Sequence, residues 1–174
     1  MKPLRQGDLD GLCGIYSIVN ALRLVCNLNN DECFVLFKES LALLEKKKKL
    51  SEIIAFGTSI VQLSRVFKEV IDEKYPTKRT KPFHKNKDVP LCEYWNALEE
   101  FLVESNRAVI IGIDGDEWDG HWTCVVTVTE KTLVLFDSYN WKRLYRKNYT
   151  TRKITKRRPY LISPYYTIFI SKKE

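Results

Sequence analysis

A cysteine that attacks a carbonyl needs three things near it. Something must favour its thiolate, a base must move the proton, and donors must hold the oxyanion that the attack creates. The stretch QGDLDGLCGIYSIVNAL, residues 6–22, has the form of such a site. Cys13 stands where an apolar, helix-like run begins, at the mouth of the stripe rather than within it. First-turn helix amides favour an anion. The Cys13 N–H itself points out of the helix start, where it can hold an oxyanion. The side-chain amide of Gln6, just upstream, can supply the second donor. Gly11 lets the chain turn before the helix, and Gly14 leaves room for a substrate backbone.

The chain offers two histidines as the base, His84 and His121. His84 lies in a basic loop. His121 opens a strand, GHWTCVV, and the following strand ends in LFDSYNW after a short turn at Glu130 and Lys131. In a hairpin turning there, His121 comes level with residues 137–140. Asp137 or Asn140 can then accept from the ring and fix its tautomer. Taken singly, Cys13 reads as a core thiol and His121 as a structural histidine. Their joint occurrence with an orienting acceptor and an upstream amide points to nucleophilic catalysis.

The elements that must position these residues follow from periodicity. Ile15, Ile18, Val19, Leu22 and Val25 recur at three- and four-residue steps, one face of a helix. Asn30 or Asp31 caps a second helix with Phe34, Phe37, Leu41 and Leu44 on its face, running into the lysines at 46–49. Thr58 or Ser59 caps a third, with Ile60, Leu63, Phe67, Val70 and Ile71. Residues 75–90, polar and containing Pro76, Pro82 and Pro90, read as a loop. A further helix covers about 91–104, with Trp95, Leu98 and Leu102. Then come short β-branched runs at 108–113, 122–128, 132–136 and 165–171, with room for an irregular strand in KRLYRKNY. Helices followed by antiparallel strands make an α+β domain. The 174 residues suit one domain, 1–174, with a basic C-terminal third at about 141–174.

The order Gln6, Cys13 at a helix start, His121 at a strand start and Asp137 one strand later resembles the papain-like cysteine peptidase superfamily. The segments Leu12-Cys13-Gly14-Ile15-Tyr16-Ser17, Asn20-Ala21-Leu22 and Gly120-His121-Trp122-Thr123 look most like its compact members. Those include Josephin-type deubiquitinases and the leader-peptide peptidase domains of peptide exporters. The resemblance implies Cys13 as nucleophile, His121 as general base and acid, Asp137 as orienting residue and Gln6 as oxyanion donor. It implies a papain-like fold, an N-terminal helical half packed on a C-terminal antiparallel sheet with the active site in the cleft between them. The implied substrate is a protein or peptide, and a ubiquitin-like tail is one form of it.

Composition bounds the alternatives. Five cysteines at spacings that match no zinc or disulfide framework, with only two histidines, point to no metal and no cofactor. Cys26, Cys33, Cys92 and Cys124 read as core or near-core thiols. The start of the chain has no apolar signal region and no run spans a bilayer, which suggests the cytoplasm or export without a cleaved signal. The net charge of +7 is concentrated late: from Ser138 to Lys173 there is no acidic residue. Such a segment is a solvated edge or a surface for an acidic partner. Two other functions use the same residues: acyl transfer or deamidation of transglutaminase type by the Cys-His-Asp set, and non-catalytic binding of nucleic acid by the basic, tyrosine-bearing third. The acidic stretch DGDEWDG, residues 114–120, lacks the closing glutamate of a calcium loop, since Val125 holds that position. It reads as a rim before His121, with Trp118 and Trp122 available to cover the base or grip a substrate.

Overall fold

The computed structural model describes residues 1–86, 88–115 and 118–173, with the backbone alone for 118 and 119. The Trp118 side chain, and with it that part of the expected rim, lies outside the described residues.

Helix α1 spans Cys13–Cys26 and its apolar face is fully buried, with Ile15, Ile18, Val19 and Leu22 each at 0% exposure. Burying a side chain of this size contributes about 1.5–3 kcal/mol relative to leaving it in water. Helix α2 (Asn30–Glu45) opens on a capping box in which Asn29, one residue ahead of the expected cap, accepts from the Glu32 N–H while Glu32 accepts from the Asn29 N–H. Its buried face is Cys33, Leu36, Ser40, Leu43 and Leu44. Phe34, expected on that face, is exposed, because the stripe that meets α1 is rotated by one residue. Helix α3 (Leu50–Phe56) was not expected from the sequence. Helix α4 (Ile60–Val66) has a second capping box, Ser59 with Gln62, and continues as a π-helical turn over Phe67–Ile71. Helix α5 covers Leu91–Leu102.

Seven strands form one sheet: β1 (Thr77–Thr80), β2 (Arg107–Gly115), β3 (Trp118–Val128), β4 (Thr132–Leu135), β5 (Arg143–Tyr145), β6 (Tyr149–Thr150) and β7 (Tyr160–Lys172). Their order is β1-β7-β2-β3-β4-β5, antiparallel throughout, with the short β6 added parallel to β7. The fold is therefore α+β, helices followed by an antiparallel sheet. Strand β1 corrects the reading of 75–90 as loop alone: Thr77–Thr80 pairs with the end of β7. Strand β3 begins at Trp118, so His121 lies within the strand rather than at its first residue.

The helices do not all lie on one side. Ala108 and Ile110 of β2 join the core formed with α1, α2 and α4, whereas Val109, Ile111 and Ile113 join a second core with Tyr94, Trp95 and Leu98 of α5. Helix α5 thus covers the far face of the sheet. The reason is written in β2 and β7, which are apolar at consecutive positions and so need cover on both faces. Among the described residues, no helix is long and apolar enough to cross a membrane.

Candidate active site

The cleft begins at the N-terminus of α1. Leu12 is the N-cap and gives no side-chain cap, and the first turn holds no acidic residue. The Cys13 amide is one of the first-turn N–H groups that a helix leaves without an internal partner. The loop before it is folded around one carboxylate: Asp10 accepts from the Gly7 N–H at 2.6 Å and from the Leu12 N–H at 3.1 Å. Gly11 is needed for a reason other than a sharp turn. Its backbone lies against Gly57 (φ +70°), and a Cβ at Gly11 would sit 2.9 Å from the Gly57 nitrogen. Gly14 likewise makes room for protein, not for substrate, since a Cβ there would meet the Thr58 hydroxyl at 2.1 Å.

Gln6 is held from three sides. Its backbone N–H donates to the Ser138 carbonyl (3.2 Å), the Ser138 hydroxyl donates to its Oε1 (2.9 Å), and its Nε2 donates to the Asp10 carbonyl (3.0 Å). An amide nitrogen carries two N–H groups, and among the described residues the second has no partner. The arm carrying Gln6 is pinned to α1 by buried Asn20, which accepts from the Leu4 N–H at 2.8 Å and donates to the Leu4 carbonyl at 3.1 Å. If Gln6 is the oxyanion donor that the resemblance implies, Gln6→Ala lowers the turnover rate about a hundred- to a thousandfold while KM changes little. Ser138→Ala, which frees the amide to rotate, is expected to reproduce part of that loss. Steady-state kinetics on one peptide reporter checks both.

His121 and Asp137 meet across the β3–β4 hairpin at 2.7 Å, Nε2 to Oδ2, and both are buried. The other Asp137 oxygen accepts from the N–H groups of Tyr139 (2.8 Å) and Trp141 (3.1 Å). Asn140 does not face the ring. It sits at φ 69°, and its side-chain oxygen accepts from Arg5 and Lys142. With Nε2 engaged by Asp137, Nδ1 is the ring nitrogen left to interact with Cys13, which is among the groups that hold the ring's charge. The Cys13 sulfur also accepts from the Trp122 backbone N–H at 3.5 Å.

Burial by itself would depress the His121 pKa, but the hydrogen bonds to Asp137 and Cys13 and their charges outweigh it and raise it to about 9. For Asp137 burial pushes upward, and the hydrogen bond and charge of His121 win, holding it below the ordinary carboxylate value. At neutral pH the ring therefore carries the proton.

Gln6, Cys13, His121 and Trp122 line one cleft of about 720 Å³, closed on the far side by Phe56, Gly57 and Thr58 and at the rim by Tyr139 and Trp141. Trp141 was missed in the sequence. Its ring lies 4.8 Å from the His121 ring, where it covers the imidazole. Trp122 instead spans the cleft wall, its indole N–H donating to the Thr58 carbonyl at 2.9 Å. Loop residues such as Asp10, Ser138 and Trp141 carry no periodic signal. Only the cluster DSYNW marks that loop as dense in hydrogen-bonding and aromatic groups.

The remaining thiols are spread through the molecule. Burial pushes Cys26, Cys33 and Cys124 upward, and Cys92, expected near the core, is exposed. His84 is exposed and its ring nitrogen lies against the Lys81 carbonyl. No three metal-ligating side chains cluster among the described residues. Among the described residues, the cleft lining contains no lysine or arginine. Of the basic segment, Arg152 pairs with Asp88 at 2.6 Å and Arg146 stacks on Trp95 at 5.3 Å, while Lys153, Lys156, Arg157 and Arg158 are exposed. Comparison with protein-family models gives no match, and comparison with curated proteins gives none either.

Proposed function

We propose that the chain is a papain-like thiol hydrolase that cleaves a peptide or isopeptide bond through a Cys13 acyl-enzyme. One observation carries the reading: a single imidazole, His121, is bonded to a buried carboxylate at 2.7 Å and shares the wall of an open cleft with Cys13, which helps to hold the ring's charge. The α+β order, with Cys13 at a helix start and His121 on a strand, supports it further.

The thiolate attacks the substrate carbonyl carbon, and the C=O electron pair moves onto oxygen. The Cys13 N–H and the second Gln6 N–H hold that oxyanion. Collapse breaks the C–N bond, and His121 gives its proton to the departing amine, leaving a thioester on Cys13. Neutral His121 then takes a proton from water as it attacks the thioester. The acid leaves and the thiolate–imidazolium pair returns. Asp137 keeps the ring in place and stabilises its charge throughout.

Limited alkylation tests the reading. At about pH 6 an ordinary thiol, with a pKa of about 8.5, is almost wholly protonated. If access ruled, exposed Cys92 would be labelled by iodoacetamide before Cys13, which is 7% exposed. The proposed pair reverses that order. Peptide mapping should find Cys13 carboxamidomethylated first; labelling of Cys92 ahead of Cys13 sinks the assignment. Transfer of an acyl group to an added amine without hydrolysis would reassign the same residues to an acyltransferase.

A further inference from the structure

A second pocket of about 250 Å³ opens beside the cleft and shares Phe56, Thr58, Gly120, His121 and Trp122 with it. Its inner wall is the end of β2, and Asp114 is its one carboxylate among the described residues. Space for that carboxylate exists because residue 120 is glycine: a Cβ there would sit 2.5 Å from Asp114 Oδ1. Asp114 is partly buried; its backbone belongs to the β2–β7 ladder, and among the described residues its carboxylate has no hydrogen bond and no ion pair. Burial pushes its pKa upward. The other charged group in the lining, His121, is already answered by Asp137. A carboxylate partly withdrawn from water without a counter-charge is unfavourable, and among the described residues the remaining walls of this pocket are apolar, aromatic or hydroxylic. Phe56, Trp122 and Tyr166 offer aromatic surface along the way in, which suits the aliphatic stem of a long cation.

We infer that this pocket receives a lysine or arginine side chain of the substrate, close to the scissile bond, with Asp114 as its counter-ion. The inference rests on the hydrolase reading and narrows it to substrates with a cation beside the cleaved bond. A glutamate there would face Asp114 charge to charge, and a norleucine would fill the space while leaving the carboxylate unpaired.

Peptidyl acyloxymethyl ketones test this without requiring turnover. A set carries lysine, arginine, norleucine or glutamate at each of the positions nearest the reactive group, and the rate of Cys13 labelling is measured for intact protein. At one position the wild type should favour lysine or arginine over norleucine by about ten- to a hundredfold, with glutamate slowest. Asp114→Asn should collapse that ratio to near one. Asp114→Lys should turn it toward glutamate, a gain that damage to the fold does not produce. Asp8→Asn, at the rim of the main cleft, should leave the ratio in place. The inference is overturned if the wild type shows no cation preference at any position. It is equally overturned if the preference survives Asp114→Asn, or if it disappears in Asp8→Asn instead. If no peptidyl probe labels Cys13 in folded protein, the hydrolase reading falls and takes this inference with it. Labelling without a charge preference removes the inference alone.

Discussion

Cys13→Ala is expected to reduce turnover of a peptide reporter by about a millionfold, to the level left by oxyanion donors and binding alone. The proposed acyl-enzyme cannot form without the sulfur. The fold should survive, because the change removes a single sulfur atom at the first residue of α1 and leaves in place Ile15, Ile18, Val19 and Leu22, which anchor the helix. An unchanged circular-dichroism melt beside an absent rate separates the two effects. The variant also reports on its neighbour. His121 owes part of its raised pKa to Cys13, so an NMR titration of the ring should give a midpoint below about 9. It should stay above the ordinary histidine value of about 6.5, because Asp137 remains. A substantial residual rate in Cys13→Ala would remove the thiol from the chemistry.

Asp137→Asn is expected to cost about a thousand- to ten-thousandfold in turnover, more than the similarity of the side chains suggests. Asp137 accepts at both oxygens, from the His121 ring at one and from the Tyr139 and Trp141 amides at the other. Asparagine has one acceptor oxygen. The two backbone donors claim it, which turns the NH₂ toward Nε2 and forces the wrong tautomer on the ring, the same fault that costs about 10⁴ in a serine triad. The alkaline limb of the pH–rate profile should move as well. In the wild type His121 holds its proton up to about pH 9; without the carboxylate the limb should fall toward about 6.5. Stability follows the same sign. A histidine pKa raised on folding contributes stability that is complete below about pH 6.5 and is lost as pH rises through about 9. That component of the thermal melt should be larger in the wild type than in Asp137→Asn, where only the part due to Cys13 remains. Asn140→Ala, which breaks only contacts to Arg5 and Lys142, should be mild.

What the sequence made legible was whatever rests on period and length. The steps from Ile15 to Val25 define α1, and the short turn at Glu130 and Lys131 is enough to bring His121 to Asp137. The face of α2 was misread by one residue because Phe34 and Leu36 are equally apolar, and the choice between them belongs to α1 and α4. Strand β1 was hidden because TKRT shows no alternation and lies between Pro76 and Pro82; its extended form comes from pairing with β7. Helix α3 carries a single fully buried side chain, Ile53, too little for a stripe. In the site, Trp141 and Asp10 act through loops that close only in three dimensions, so no local pattern announces them.

The placement of β7 sets the order in which the molecule can be built. β7 lies inside the sheet, between β1 and β2, and also pairs with β6, yet it is made after all of them. Its Ile168 and Ile170 complete one core and its Ile162 and Phe169 the other. Cys13, His121 and Asp137 are all synthesised earlier, but the layers that press them together wait for this strand. Contacts of such sequence separation make folding slow and late. A nascent chain that stops before Tyr160 holds every residue of the proposed chemistry and neither finished core, so reactivity at Cys13 should arise only as the last strand docks.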